Sequence, residues 1–485
     1  MAVAEPSKKL PLASWPPGIR DGVRECAMDS HHRALVVRFI PTADRCLAAA
    51  ASLYLLILIF ALSRANIVAD SIDYYAILLR LTSPTDRPIV RNLHFVEQRS
   101  PGYPLAALVP YALLDVAVEP LVSTERVTGP GLAESLPPPR GLPSASPGEP
   151  GPSQQPTSPA GSEYALIPPQ PLLLREVPFR DFYVPSEDSW FRWKPVLALA
   201  TTSYLFLFLG LAASAWALRL LHPRLPGYSL IPAMVFTSAV FIRNILDRPL
   251  YATLTAFGAS SLFVLFFVRS QTKGTRRDLV LAAAFLGFLI LARLELSVFA
   301  AALALVLLAQ REWKPALLML AGVVAAAIAW AAYNQVLFGT PFHLVILRGD
   351  INVIDVDFRY IFDSLLRPSS GILFWSPLLV FGLAGLALSR SKPLRMLGLC
   401  SFVVVALYLV RVPVMYGHVG NGVINIGGVA VSAPSSEAGM RELVRSDINR
   451  YVTVLMPAAV LGLRDGAGRV QGWWRTRRDV NLART

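Results

Sequence analysis

The feature that most constrains this chain is a succession of apolar runs near the length of a bilayer crossing, separated by loops that carry much of the basic charge. A helix needs about 20 apolar residues to cross the hydrocarbon layer. Runs approaching that length fall at 47–63, 196–221, 226–242, 249–268, 279–292, 296–309, 315–332, 371–389, 395–410 and 451–463. Those at 279–292, 296–309 and 451–463 are short for a crossing, and Arg293 with Glu295 favours an outward-facing break between the first two. With 54% hydrophobic and 16% charged residues and a mean hydropathy of +0.50, the composition excludes an ordinary soluble domain. The expected fold is an all-α polytopic membrane protein with about ten transmembrane helices.

Charge placement orients these helices. A net charge of +13 is compatible with nucleic-acid binding, but the basic residues gather in loops between apolar runs and at both termini. His222-Pro-Arg224, the 269–277 cluster, Arg311 with Lys314, Arg390 with Lys392 and Arg395, and the tail up to Arg484 then share one face. The positive-inside tendency makes that face cytoplasmic, places both termini inside and removes nucleic acid from the expected partners. Three scattered cysteines, Cys26, Cys46 and Cys400, imply neither a disulfide framework nor a metal site.

The expected organisation is a cytoplasmic segment at 1–46, a membrane domain at 47–463 and a basic cytoplasmic tail at 464–485. The 105–122 stretch, interrupted by Pro110, Asp115 and Pro120, reads as an interfacial helix; as a span it would carry the 269–277 cluster outside. Residues 123–172 are rich in Pro, Ser and Gly and are expected to form a disordered external insert.

On the external face this topology collects Asp70, Asp73, Arg99, Asp247, Arg248, Arg293, Glu295 and Arg450. Asp70 and Asp73 share a face at i, i+3 if the segment is helical, and a shielded interfacial carboxylate can act as a general base. An acidic helix end that only assists topology is the alternative. Arg99-Ser-Pro-Gly-Tyr-Pro104 sets a guanidinium beside a rigid helix start, which suits an anion, or forms a capped turn with a snorkelling Arg. Asp247 and Arg248 read equally as a site pair or as loop charges. His94, His343 and His418 lack metal-ligand spacing, and no nucleotide fingerprint occurs in a suitable context, so neither metal nor cofactor is expected.

Several motifs nevertheless fall in a recognisable order. Asp70-Ser71-Ile72-Asp73-Tyr74, Pro101-Gly102-Tyr103-Pro104, Asp247 and Arg293-Leu294-Glu295 come first. Tyr333-Asn334 with Phe338-Gly339-Thr340-Pro341, Gly371 to Ser376-Pro377, and Arg450-Tyr451 with Pro457 follow. In this order the chain resembles the GT-C class of integral membrane glycosyltransferases, in particular the bacterial branch similar to dolichyl-phosphate-mannose protein mannosyltransferases and lipid A aminoarabinose transferase. Asp stands at 247 where that class more often has Glu, and Leu294 replaces the Pro of its Arg-Pro-Glu.

The resemblance implies transfer of a sugar from a polyprenyl-phosphate donor to an extracytoplasmic glycan, lipid or protein acceptor, in a bacterial inner membrane. It implies Asp70 as the base, with Asp73 a lesser catalytic candidate. Arg99, Arg293 and Arg450 are the implied phosphate ligands, and Tyr103, Asp247 and Glu295 belong to the implied substrate site. A lipid-phosphate leaving group departs as an anion, so one base and cationic clamps suffice, and direct attack inverts the anomeric centre. The competing expectation is a transporter or flippase for a lipid-linked or anionic solute, with mid-membrane charges and broken helices in related halves.

Overall fold

The computed structural model describes residues 42–60, 74, 75, 77, 78, 81, 82, 99–118, 193–223, 227–246, 248–338, 340–341, 352–354, 358–367, 371–413, 423–426, 429–432 and 452–482. The described residues are mainly helical. In chain order the first helices are α1 (Thr42–Phe60), α2 (Gly102–Val118), α3 (Trp193–Leu221), α4 (Leu230–Thr237), α5 (Ala239–Leu246), α6 (Ala252–Lys273) and α7 (Arg276–Ala292). After a 3₁₀ turn at Leu294–Leu296 come α8 (Ser297–Ala309), α9 (Trp313–Phe338), α10 (Phe358–Leu365), α11 (Ile372–Trp375), α12 (Pro377–Ala387), α13 (Lys392–Val410) and α14 (Met456–Leu482). The all-α class expected from the sequence holds, with two short antiparallel ladders beside the helices: β1 (Asn352–Ile354) pairs with β2 (Arg411–Pro413), and β3 (Val423–Ile426) with β4 (Val429–Ser432).

Five described helices, α1, α3, α6, α9 and α13, are long and apolar enough to cross a membrane, which marks an integral membrane protein. Their share of buried residues sorts them. The apolar stretch of α6 is 83% buried and that of α1 only 11%, so α6 is the axis of the bundle and α1 lies at its rim. Between membrane helices hydrophobic burial gives little preference for one partner, so close packing of small residues decides the contacts. The seams follow that rule. Gly210 and Gly258 bring α3 against α6, Gly287 and Gly322 bring α7 against α9, and Gly382, Gly385 and Gly462 bring α12 against α14.

Contact order along these seams sets helix direction. Gly382 meets Ala459, Gly385 meets Gly462, and Arg469 bonds the Leu388 carbonyl, so α12 and α14 run parallel. By the same reasoning α3 and α6 are parallel, with Phe206 against Gly258 and Ser214 Oγ 3.4 Å from Ser261 Oγ. α6 and α7 are antiparallel: Arg293 reaches Thr253 at one end, and Arg269 pairs with Asp278 at the other. One end of the bundle consequently gathers the Arg269–Asp278 and Lys392–Glu312 pairs, together with Arg464 packed on Gly227. Asp44, accepting from the Tyr228 and Ser229 amides, ties the start of α1 to this same basic end.

Three runs fold differently from expectation. The 226–242 run is split into α4 and α5 at Ser238, whose Oγ accepts from the Phe241 amide at 3.3 Å and so offers the backbone an alternative to helix continuation. The 371–389 run is split at Ser376, because Pro377 disfavours helical geometry in the residue before it. The two breaks meet: Ser376 Oγ donates to Ser238 Oγ at 3.1 Å, with both residues buried. Finally, α14 carries the last apolar run on as one helix to Leu482. α2 likewise runs unbroken through Pro110.

The α12–α14 seam leads to a direct prediction. A Cβ on Gly385 would run into the Gly462 carbonyl oxygen, a backbone atom that no rotamer change can move aside. Gly385→Ala should lower thermal stability in detergent by about 1–3 kcal/mol, the usual result of overpacking. Gly472→Ala on α14, the partner helix, where a Cβ meets nothing, is the control and should melt like the wild type.

Candidate functional site

At the end of the bundle opposite the basic cluster, segments far apart in sequence meet around Tyr103. Its side chain is fully buried, and burial pushes the phenol well above the ordinary tyrosine pKa, so it remains protonated and donates. Tyr103 Oη donates to the Leu199 carbonyl at 2.9 Å, with the Pro249 carbonyl a longer second acceptor at 3.4 Å, and accepts from Ser203 Oγ at 3.0 Å. One hydroxyl thus joins α2, α3 and the turn that opens α6. Tyr74 packs edge-on against the same ring with centroids 5.1 Å apart, and Tyr333 of α9 is buried in the same cluster with Leu250.

The neighbouring glycine accounts for the close fit. A Cβ on Gly102 would lie 2.5 Å from the Ala292 nitrogen and 2.6 Å from the Leu291 carbonyl carbon. Glycine here lets the start of α2 rest on the backbone at the end of α7. Arg293, the next residue, is thereby held beside two helix starts, those of α2 and α6. Arg293 Nη2 donates to Thr253 Oγ1 at 3.2 Å, and Nη1 lies 3.6 Å from Glu295 Oε1. Both side chains of this pair are mostly covered, at 13% and 12% exposure. Helix N-termini carry partial positive charge, so with the guanidinium they form surroundings suited to an anion, and Glu295 offsets part of that charge.

The segments on either side are pinned as well. Tyr204 Oη donates to the Ile245 carbonyl at 3.0 Å, and the Arg248 guanidinium sits 5.5 Å from the centroid of the Tyr251 ring. At the end of α9, Asn334 Nδ2 donates to the Pro341 carbonyl at 3.3 Å, which ties Pro341 to the end of that helix.

Comparison with protein-family models, with curated proteins and with solved structures returns no match. The site must be read from its own geometry.

Of the residues singled out from sequence, Tyr103, Arg293 and Glu295 stand at this end of the bundle, with Arg99 half-buried three residues before Gly102. Asp70, Asp73, Asp247 and Arg450 lie outside the described residues, as does the 123–172 insert. Tyr103 acts as a fastening, with its hydroxyl committed to protein atoms. Sequence reading missed Thr253, which supplies the acceptor for Arg293, and Gly102 as the point of backbone contact. The available signal was weak: Thr253 and Thr255 are polar residues in the first turn of an apolar helix, where a hydroxyl needs a partner. Among the described residues no three His, Cys, Asp or Glu side chains converge as a metal site would require.

Proposed function

We propose that this chain is a membrane glycosyltransferase that moves a sugar from a polyprenyl-phosphate donor to an acceptor at the Tyr103–Arg293 end of the bundle. One observation carries the reading: Tyr74, Pro101 to Pro104, Pro249 to Thr253, Arg293 to Glu295 and Tyr333 occupy or adjoin five of the ordered motifs and converge at that end. The opposite end carries the basic loops, so the positive-inside tendency makes the motif end extracytoplasmic.

In this reaction Asp70 takes the proton from the acceptor hydroxyl or amine. The freed electron pair forms the new bond at the anomeric carbon as the bond to the lipid-phosphate oxygen breaks, and the lipid phosphate leaves with the electrons of the broken bond, inverting the centre. Arg293 between the two helix starts stabilises the charge developing on phosphate, with Arg99 and Arg450 as further cationic candidates. The lipid tail lies between helices, which is why such an enzyme works within a membrane.

The test is incubation of purified protein with a panel of radiolabelled polyprenyl-phosphate sugars and candidate acceptors. Wild type is expected to form product with at least one donor, and Asp70→Asn to lose about two to four orders of magnitude in rate, the span of general-base effects. Near wild-type transfer by Asp70→Asn removes Asp70 from the base role.

A second reading, a transporter or flippase, is favoured by one observation: the paired helix breaks at Ser238 and Ser376 resemble the discontinuous helices of transporters. Neutral hydroxyls join these breaks, whereas carriers of ions and anions place charge there. Uptake of a labelled lipid-linked sugar into proteoliposomes without any transfer would select this reading.

A further inference from the structure

At the basic end, a groove of about 360 Å³ opens between α8, the end of α12 and the start of α13. Its lining is ordered along the helix axis. Gln310, Lys392 and Arg395 stand at the mouth, followed on α13 by Met396, Leu399 and Phe402, with Val306 on the facing helix. The α13 residues recur at spacings of three and four, so they share one helix face, and Gln310, just past the end of α8, follows Val306 by four residues. Leu399 and Phe402 are 52% and 44% exposed. Lys392 is paired with Glu312, whereas Arg395 forms no ion pair with a carboxylate among the described residues. The three charges leave a net cation at the mouth of an apolar channel.

We propose that this groove binds one anionic glycerophospholipid from the leaflet at the basic end. Its phosphate lies against Arg395, Lys392 and Gln310, and an acyl chain lies along Val306, Met396, Leu399 and Phe402. Head and tail account for both halves of the lining. A free phosphate would leave the apolar wall uncovered, and a zwitterionic lipid would bring its own cation toward Arg395. The phosphate accepts hydrogen bonds from the guanidinium fork, a geometry that favours Arg at such sites. This assignment is independent of the glycosyltransferase reading, because it concerns the opposite end of the bundle.

Protein purified in mild detergent is exchanged with equal amounts of phosphatidylglycerol and phosphatidylcholine of matched acyl chains, and retained lipid is read by native mass spectrometry. The wild type is expected to keep phosphatidylglycerol preferentially. Lys392→Gln/Arg395→Gln should retain roughly tenfold less, given the usual contribution of each juxtamembrane cation. Leu399→Trp fills the channel and should also release the lipid with both cations intact, while Arg277→Gln, a basic change outside the groove, should retain it. A melting scan of each variant separates lost lipid from lost fold. Equal retention of the two lipids, wild-type retention by the double variant, or stabilisation by inorganic phosphate equal to that by phosphatidylglycerol would overturn the proposal.

Discussion

On the proposed glycosyltransferase reading, Gly102→Ala is expected to lower the melting midpoint of the purified protein and to reduce sugar transfer by more than the loss of folded protein explains. The added carbon meets only backbone atoms, the Ala292 nitrogen and the Leu291 carbonyl carbon, so no side chain can rotate to admit it. Either α2 or the end of α7 must move. Overpacking of this kind costs about 1–3 kcal/mol, and alanine's better helix propensity recovers at most about 1 kcal/mol of that. The functional effect is larger because both neighbours of the contact matter: Tyr103 follows Gly102, and Arg293 follows Ala292. A shift of a few tenths of an ångström at Gly102 weakens the Tyr103 bond to Leu199 and moves the guanidinium from Thr253. Gly468→Ala, where a Cβ meets nothing, should change neither property. The measurement is a thermal melt in detergent alongside a transfer assay normalised to folded protein; a Gly102→Ala variant indistinguishable from wild type in both refutes the close-contact account.

Gly102 also shows how far sequence carries. The Pro-Gly-Tyr-Pro stretch announces a helix start, and α2 begins there. What it touches is a backbone segment almost two hundred residues later, a fact no local pattern encodes. The long helices were legible for a physical reason: α6, α7, α8 and α13 each lie within a few residues of an apolar run, since lipid or its protein substitute requires internally satisfied backbone over the whole run. Ser238 was not, because whether a serine in an apolar run continues the helix or caps a new one depends on the Ser376 hydroxyl that reaches it from another segment. The tail of α14 misleads in the opposite direction. Its loss of apolar character looks like the end of an element, yet helix formation needs only adequate propensity and a preceding nucleus, and α14 continues to Leu482. At the site, Arg293 and Glu295 announced themselves as charges between apolar runs, whereas Thr253 became visible only once the direction of α6 against α7 was known.

On the same proposed reading, Arg293→Gln is expected to reduce kcat/KM for the lipid donor by roughly a hundredfold to a thousandfold, the loss typical of removing one preorganised charge-stabilising donor. The pair with Glu295 makes a sharper test possible. If Arg293 serves only to neutralise Glu295, then Glu295→Gln removes the need for it, and the double variant Arg293→Gln/Glu295→Gln should recover both stability and transfer. If Arg293 acts on the donor phosphate, the double variant recovers stability but not transfer, because the mostly covered charge left by either single change is gone while the phosphate still lacks its cation. Arg293→Lys completes the set. It retains the charge without the planar fork that reaches Thr253 and Glu295 together, so transfer should fall between wild type and Arg293→Gln. Steady-state kinetics on the four variants, each corrected for its melting midpoint, separates the two roles. The predicted pattern is that Glu295→Gln loses stability and keeps much of its kcat, Arg293→Gln loses kcat/KM, and the double variant melts later than either single one while remaining as inactive as Arg293→Gln.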